Sequence, residues 1–174
     1  MKKSELIVLP VFFDRYIHLV EDIELNEALK EYVNFSENDL VTIKALKNLV
    51  YEEGKWTMND ILQHIIDNER IQSYRALRIA RNDKTALPGY DENYLGKYSE
   101  ANSRSVDDLI EEFNIVRAAT ISLFRSFNQE MLQRTGISNG LELTPLALGF
   151  VIVGHQIHHL RIINEKYKPL LLNQ

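Results

Sequence analysis

The chain has 174 residues, of which 45% are hydrophobic and 26% are charged, so we expect a folded protein with a single domain over residues 1–174. Its formal net charge of −5 argues against nucleic acid as the main partner, because a polyanion favours a basic protein. The absence of cysteine excludes disulfides, thiolate nucleophiles and thiolate metal ligands, and is typical of a reducing compartment.

The N-terminal segment has two lysines followed by an apolar stretch, as secretion signals do. Glu5, Pro10, Asp14 and Arg15 interrupt that stretch and no small-residue cleavage site follows, so we interpret it as mature protein. No run of roughly 18 apolar residues occurs, which predicts no membrane partner and a cytoplasmic location. The apolar segment VLPVFF, residues 8–13, lies outside the helical pattern and predicts a surface for homodimer formation.

The first predicted helix runs from Glu24 to Val50 and ends near Gly54. Its apolar residues recur with a helical period rather than in alternation. They are Leu25, Leu29, Tyr32, Val33, Leu40, Ile43, Leu46 and Val50. The polar tetrapeptide SEND, residues 36–39, lies at mid-length, and we interpret it as a bend within one long helix.

A second helix is predicted from Met58 to about Asn82. Thr57 is a typical N-cap residue, because its hydroxyl can accept a hydrogen bond from a backbone N–H of the first turn. Asp60, three positions later, completes an imperfect capping box in which Asp replaces the usual Glu or Gln.

Residues 83–105 are predicted to form a long loop between the second and third helices, because Pro88, Gly89 and Gly96 interrupt any helix there. Long loops in small domains often bind ligands or cover sites. Three tyrosines of this loop are candidates for the wall of a substrate pocket, with Asp91 or Glu92 adding polarity, although packing the loop onto the bundle is their commoner role. They are Tyr90, Tyr94 and Tyr98.

The third helix is predicted to begin after the N-cap Ser105, with seven inward-facing residues. These are Leu109, Phe113, Val116, Ala119, Thr120, Leu123 and Phe127. The fourth helix begins at Pro145 after the N-cap Thr144 and is predicted to be closed by Pro169. Four long helices predict an all-α four-helix bundle, a fold whose interior offers inward-facing positions for ligands.

Three of the five histidines lie within GHQIHHLR, residues 154–161. His155 and His159 are one helical turn apart and roughly 40° apart around the axis, so both rings can reach one metal ion. His155 and His158 form a second possible chelating pair on the same geometric grounds. The pair His155 and His159 is favoured because it shares an arc with the apolar residues Leu148, Ile152 and Ile162.

The second helix supplies a third candidate ligand, His64, which lies between Ile61 and Ile65 on the apolar face. A buried polar group without a partner costs free energy, and a metal ion would provide that partner. Three imidazoles from two helices leave positions open for water or substrate, as in catalytic zinc sites. The alternative is that these are ordinary core histidines satisfied by hydrogen bonds, because a bare HxxxH lacks the additional Glu of zinc proteases.

Two acidic residues that follow His64 in the sequence have two interpretations. Asp67 and Glu69 are candidates to orient His64 or a bound water, but surface carboxylates are the commoner case. We interpret Trp56 as a hydrophobic anchor at the helix entry and His18 as a surface or packing residue.

Two further features have a structural interpretation. Gly149 and Gly154 lower the stability of the fourth helix relative to Ala, so we expect a close helix contact there or room beside the site. Four arginines make the C-terminal half of the second helix basic, and we assign them to pairing with nearby acids and with the helix C-terminus rather than to ligand binding. They are Arg70, Arg75, Arg78 and Arg81.

Two segments resemble motifs of the DinB/YfiT-like superfamily of metal-dependent proteins. KWTMNDILQHIIDNER, residues 55–70, is similar to the family pattern W-[ST]-x-x-[ED]-x-x-x-H, and GHQIHH, residues 154–159, is similar to its late H-x-x-x-H. The resemblance covers residues 24 to 167. It implies a four-helix bundle in which His64, His155 and His159 hold a divalent ion, Zn or Ni.

The resemblance also implies a reaction class. Members with assigned activities transfer low-molecular-weight thiols such as bacillithiol, isomerise maleylpyruvate with mycothiol, or are suspected hydrolases. We therefore expect a metal-dependent enzyme that acts on a small-molecule substrate by thiol S-transfer or hydrolysis, with a low-molecular-weight thiol as a candidate cofactor. Two alternatives are a non-catalytic, metal-binding stress-related protein and a metal-free bundle that acts through protein contacts.

Overall fold

The structure, a computed structural model, describes residues 1–46 and 48–173, and eight α-helices occur within these ranges. The helices are α1 (Asp14–Ile17), α2 (Leu25–Glu31), α3 (Glu37–Leu46), α4 (Met58–Ala80), α5 (Glu92–Lys97), α6 (Val106–Arg125), α7 (Gln129–Gln133) and α8 (Pro145–Ile162). Lys47, within the first predicted helix, and Gln174, at the end of the predicted domain, lie outside the described residues.

Four helices form the bundle. The three long helices share one core, because α4 packs against both α6 and α8. The shorter α2 also contacts α6 and α8 and so occupies the fourth position, while α1 packs along α8. The predicted all-α four-helix bundle is confirmed, with its fourth corner shorter than expected.

The three long helices begin where their capping residues predict. The hydroxyl of Thr57 accepts a hydrogen bond from the N–H of Asp60, whose carboxylate in turn accepts one from the N–H of Thr57, 2.9 Å away. Ser105 caps α6, and Thr144 caps α8 by accepting from the N–H of Ala147 at 3.1 Å. These starts follow from local chemistry, since each cap satisfies backbone N–H groups that have no partner within the helix.

The prediction of one long first helix was wrong. The chain leaves α2 after Glu31 and begins α3 at Glu37. Ser36 and Asp39 form a reciprocal cap, in which the N–H of Asp39 donates to the Ser36 hydroxyl (3.1 Å) and the N–H of Ser36 donates to the Asp39 carboxylate (3.2 Å). The SEND segment therefore starts a new helix instead of bending an existing one.

Two connections contain structure that was not predicted. In the loop after α4, Asp91 caps α5 by accepting from two backbone N–H groups, and Gly96 lies inside α5, so the expectation that Gly96 interrupts any helix was wrong. Before α8, strands β1 (Gly136–Ser138) and β2 (Leu141–Leu143) pair antiparallel. Asn139 and Gly140 join them with positive φ angles of 52° and 75°, the backbone that an Asn-Gly hairpin turn requires.

The end of the fourth helix also differs from the prediction. The α-helical hydrogen bonding of α8 stops at Ile162, a wider π-type turn covers Ile163–Tyr167, and a 3₁₀ segment, Lys168–Asn173, contains Pro169. The stretch Pro145–Leu172 is long and apolar enough to cross a membrane, but 78% of its most apolar 18 residues are buried inside the protein. Burial of this kind is typical of the central helix of a bundle.

The interior consists of two apolar clusters with a polar layer between them. One cluster gathers around α1, α2 and the first half of α8, and the other around α3 and the first halves of α4 and α6. Four polar side chains that are at most 2% exposed lie between the two clusters along α4 and α6: Glu69, Gln72, Arg117 and Thr120. Ala119 of α6, which was predicted to face inward, is exposed.

Candidate metal centre

Two helices bring three buried histidines to one point of the bundle. α4 carries His64 in its second turn after the cap at Thr57, and α8 carries His155 and His159 one turn apart. Their side chains are 7%, 3% and 8% exposed. Because α4 and α8 pack against each other, the three rings face one another across the helix interface.

The ring nitrogens converge closely. The Nε2 atom of His155 lies 2.9 Å from Nε2 of His64 and 3.2 Å from Nε2 of His159. One nitrogen from each of the three rings lies within 4.8 Å of the others, and among the described residues this converging group contains no carboxylate. The site therefore offers three nitrogen donors to a single point.

Burial keeps all three rings neutral. It lowers the pKa of His64 to about 4, with the charge of nearby His158 as the second cause. It also holds the pKa values of His155 and His159 well below the ordinary value, and mutual repulsion between the rings lowers them further. At neutral pH each ring therefore has one nitrogen with a free lone pair, the form in which histidine binds metals.

The other two histidines lie outside this group. The ring of His158 is half-buried and packs edge-on against Tyr16 and His159, at centroid distances of 5.3 Å and 5.2 Å. His18 is exposed, as the sequence predicted. Of the two candidate chelating pairs on α8, the structure brings His155 and His159, and not His158, to His64.

Aromatic side chains flank the histidines on two sides. The ring of Trp56 lies against His64 with a centroid distance of 4.6 Å, and Tyr16 packs edge-on against His155 at 5.2 Å. Trp56 also packs against the second apolar cluster, so the prediction of an anchoring role is confirmed, but its contact with His64 was not predicted. Tyr16 was missed because it lies on α1, far from both histidine motifs.

Gly154 lets α1 approach α8 beside the site. A Cβ atom at this position would lie 2.0 Å from the carbonyl oxygen of Tyr16, which is too close for any side chain. The predicted close helix contact is therefore present, and it positions Tyr16 against His155.

The two carboxylates after His64 have other partners. Asp67 accepts a hydrogen bond from Gln63 at 2.9 Å, and partial burial raises its pKa. Glu69 is 2% exposed and receives two hydrogen bonds, both 2.8 Å, from the guanidinium of Arg117. The expectation that Glu69 is a surface carboxylate was therefore wrong, since its role is to neutralise a buried arginine.

Two cavities reach the histidines from different sides. A cavity of about 310 Å³ includes His155 in its wall, together with Tyr16, Asn68, Arg75 and Tyr90. A second cavity of about 260 Å³ includes His159, Trp56 and Tyr167. A larger cavity of about 550 Å³ lies under α5 but includes none of the three histidines in its wall. Small molecules can therefore approach the site from the first two directions.

The loop tyrosines divide into two groups. Tyr90 is half-buried in the wall of the 310 Å³ cavity, where its hydroxyl accepts a hydrogen bond from Asn68 at 2.8 Å. Tyr94 and Tyr98 are more than 60% exposed and pack mainly on each other. One of the three candidates therefore lines a cavity at the histidines, and Asp91 and Glu92 line the same cavity.

Comparison with known families agrees with these features. Residues 13–163 match the family model described as the DinB superfamily. The chain belongs to this superfamily. The predicted family is thereby confirmed. No curated protein matches the chain significantly in sequence.

The fold is also shared with a solved structure. YfiT from Bacillus subtilis matches with a TM-score of 0.66 and 17% sequence identity, over 98% of this chain and 93% of YfiT. YfiT is described as a probable metal-dependent hydrolase with an unusual four-helix bundle topology. At this identity the likeness establishes a shared fold.

Proposed function

We propose that this protein is a metal-dependent enzyme in which His64, His155 and His159 hold a divalent ion, and that it hydrolyses a small electrophile or transfers a low-molecular-weight thiol to it. The observation that supports this most strongly is the convergence of three buried imidazoles, with ligand atoms within 4.8 Å of one another. Membership of the DinB superfamily and the likeness to YfiT support the same reading.

The hydrogen-bonding capacity of the rings supports a cation at this point. Nε2 of His155 has two nitrogen neighbours at hydrogen-bond distance, His64 and His159. A neutral imidazole nitrogen carries either one proton or one lone pair, so it cannot form a full hydrogen bond with both neighbours. A single cation toward which all three lone pairs point removes this conflict. The three rings are neutral, so they do not repel a doubly charged cation.

The donor set favours zinc or nickel, because imidazole suits these ions better than it suits Mg²⁺ or Ca²⁺, which prefer oxygen. When bound, such an ion supplies a Lewis acid that polarises a substrate oxygen or sulfur and lowers the pKa of a coordinated water or thiol. Three protein ligands leave coordination positions open for these groups.

The chain's own residues would hold and shield the reactants. His64, His155 and His159 fix the position of the ion, since each is anchored on a long helix. The rings of Trp56 and Tyr16 pack against those of His64 and His155 and would limit the access of water on those sides. The cavities beside His155 and His159 then give two reactants, a nucleophile and an electrophile, separate approaches to the same point.

The test is turnover before and after metal removal. The protein is assayed with activated esters and with thiol plus electrophile pairs, first after chelation and then after reloading with Zn²⁺ or Ni²⁺. We expect activity that disappears on chelation, returns on reloading, is lost in His159→Ala and is retained in the neighbouring control His158→Ala. Metal binding without turnover across the panel would contradict catalysis and favour a non-catalytic metal-binding protein.

We also propose a homodimer formed through the N-terminal segment. Ile7, Leu9, Val11 and Phe12 are 63%, 49%, 76% and 54% exposed, an unusual density of exposed apolar side chains for a monomer surface. Light scattering on the wild type and on Val11→Asp tests this, with a mass of two chains expected for the wild type and a mass of one chain for the variant. A wild-type mass of one chain would contradict it.

A further inference from the structure

One face of α4 is polar where a core-facing helix is normally apolar. His64, Asn68, Gln72 and Arg75 follow one another at intervals of four, four and three residues, so they lie within an arc of roughly 80° on the same side of the helix. All four side chains are at most 7% exposed. The 310 Å³ cavity, whose wall contains His155, is also lined by Asn68, Gln72 and Arg75. The polar face of α4 therefore extends from the histidine cluster along that cavity.

Arg75 is a buried cation without an acidic partner in the part of the chain that the structure describes. Its side chain is 4% exposed, and two of its N–H groups donate to neutral acceptors, Gln72 Oε1 at 3.2 Å and the carbonyl oxygen of Pro88 at 2.8 Å. A guanidinium has five N–H donors, so others remain for a ligand. By contrast, the buried Arg117 has its counter-ion inside the fold, in Glu69.

The remaining wall of the cavity limits which anion fits. Phe12, Phe13 and Tyr16 contribute aromatic surface, and the ring of Tyr90 lies 5.5 Å from the Arg75 guanidinium. The exposed residues Asp91 and Glu92 add two carboxylates to the wall. A dianion such as phosphate carries more charge than Arg75 balances and is repelled more strongly by the two carboxylates, whereas the single charge of a monocarboxylate is balanced by Arg75 and its apolar body packs against the rings.

We propose that this cavity is the substrate subsite of the enzyme and that Arg75 binds the carboxylate of a small, aromatic or apolar monocarboxylic acid whose reactive end reaches the histidine cluster at His155. The planar fork of a guanidinium matches a carboxylate in two parallel hydrogen bonds, which a lysine cannot reproduce. This inference rests on the proposed function for the reaction. It assigns to Arg75 a ligand-binding role in place of the helix-end pairing expected from the sequence.

Binding to the metal-free protein tests the inference separately from catalysis. The chelated, dialysed full-length chain is titrated by calorimetry with phenylacetate, with its neutral isostere phenylacetamide, and with inorganic phosphate. We expect phenylacetate to bind at least ~10-fold more tightly than phenylacetamide and more tightly than phosphate. Equal affinities for the acid and the amide, tighter binding of phosphate, or no binding of phenylacetate would overturn the proposal.

Variants then assign the preference to one residue. Arg75→Met keeps the length of the side chain without its charge and should abolish the preference for the acid, and Arg75→Lys should recover only part of it. Arg81→Met removes an exposed arginine of the same helix end and should leave the preference unchanged. A preference that survives Arg75→Met would overturn the proposal. These titrations contain no metal, so they do not depend on whether the metal-centre proposal is correct. Metal binding without a preference for the acid would contradict only the inference about Arg75.

Discussion

Nε2 of His64 lies 2.9 Å from Nε2 of His155, although 91 residues separate them in the sequence. This contact crosses the interface between α4 and α8, the two most extensively packed helices of the bundle. The site is therefore as rigid as the interface that carries it, and its properties are coupled to the stability of the fold.

That coupling predicts how the stability of the metal-free protein depends on pH. Burial lowers the pKa of His64 from 6.5 to about 4, so between those values the unfolded chain binds more protons than the folded chain. The free energy of unfolding should therefore fall as the pH is lowered from 6.5 toward 4. Urea unfolding across this range measures it, with His64→Gln as the matched variant, whose fall should be smaller. An equal fall in the free energy of unfolding for the two proteins would contradict the prediction.

The buried ion pair between Glu69 and Arg117 predicts a strongly non-additive pair of substitutions. Glu69→Leu leaves an uncompensated guanidinium in the core and should cost about 3–5 kcal/mol of unfolding free energy. Adding Arg117→Met should restore much of that loss, because no charge then remains buried. The exposed pair of Glu130 and Arg134 provides the control, since Glu130→Leu should cost less than about 1 kcal/mol. Additive costs in the double variant would show that the pair is not a unit.

Replacement by alanine should have different effects on stability at two glycines, Gly154 and Gly96. Gly154→Ala forces a Cβ against the Tyr16 carbonyl, and overpacking of this kind costs about 1–3 kcal/mol or more. Gly96→Ala should be neutral or slightly stabilising, because its nearest neighbour is 3.7 Å away, on Trp56, and alanine suits a helix better. Thermal unfolding of both variants tests this, and tolerance of Gly154→Ala would mean that α1 does not approach α8 so closely.

The sole tryptophan reports on the site directly. Trp56 lies 4.6 Å from the ring of His64, so Ni²⁺ bound to that ring would be near enough to quench its fluorescence by contact. We expect Ni²⁺ to quench the metal-free wild type with a sharp endpoint, and His155→Ala to weaken or remove this response. Unchanged fluorescence at saturating Ni²⁺ would place the ion elsewhere.

The sequence predicted what local chemistry determines. Thr57, Ser105 and Thr144 each start a long helix through hydrogen bonds within the first turn, so their positions follow from short patterns. Ser36 and Asp39 carry the same pattern, but the apolar period continues across them, so the break before α3 was not predicted. Asn139 and Gly140 also form a sequence pattern that is typical of a β-hairpin, but the hairpin was not predicted.

Long-range partnerships could not be read in the same way. Glu69 and Arg117 occupy core-facing positions on different helices, and a charged residue there is ordinarily assigned to the surface because its partner is unknown. Arg75 was assigned to pairing with nearby acids and with the helix C-terminus for the same reason. The burial of Arg75 could have been predicted from its position on the helix. Asn68, Gln72 and Arg75 lie on the same face of the helix as His64, and the apolar residues predict that this face points inward.

The metal content of the protein tests the central claim most directly. Untagged wild type purified from its native host, and the variants His64→Ala, His155→Ala, His159→Ala and His158→Ala, are analysed for bound elements and titrated with Zn²⁺ and Ni²⁺ after chelation. The account predicts about one divalent ion per chain in the wild type and in His158→Ala, and loss of tight binding in each of the other three. A wild type that neither carries nor takes up an ion, or unaltered binding in His155→Ala, would contradict it.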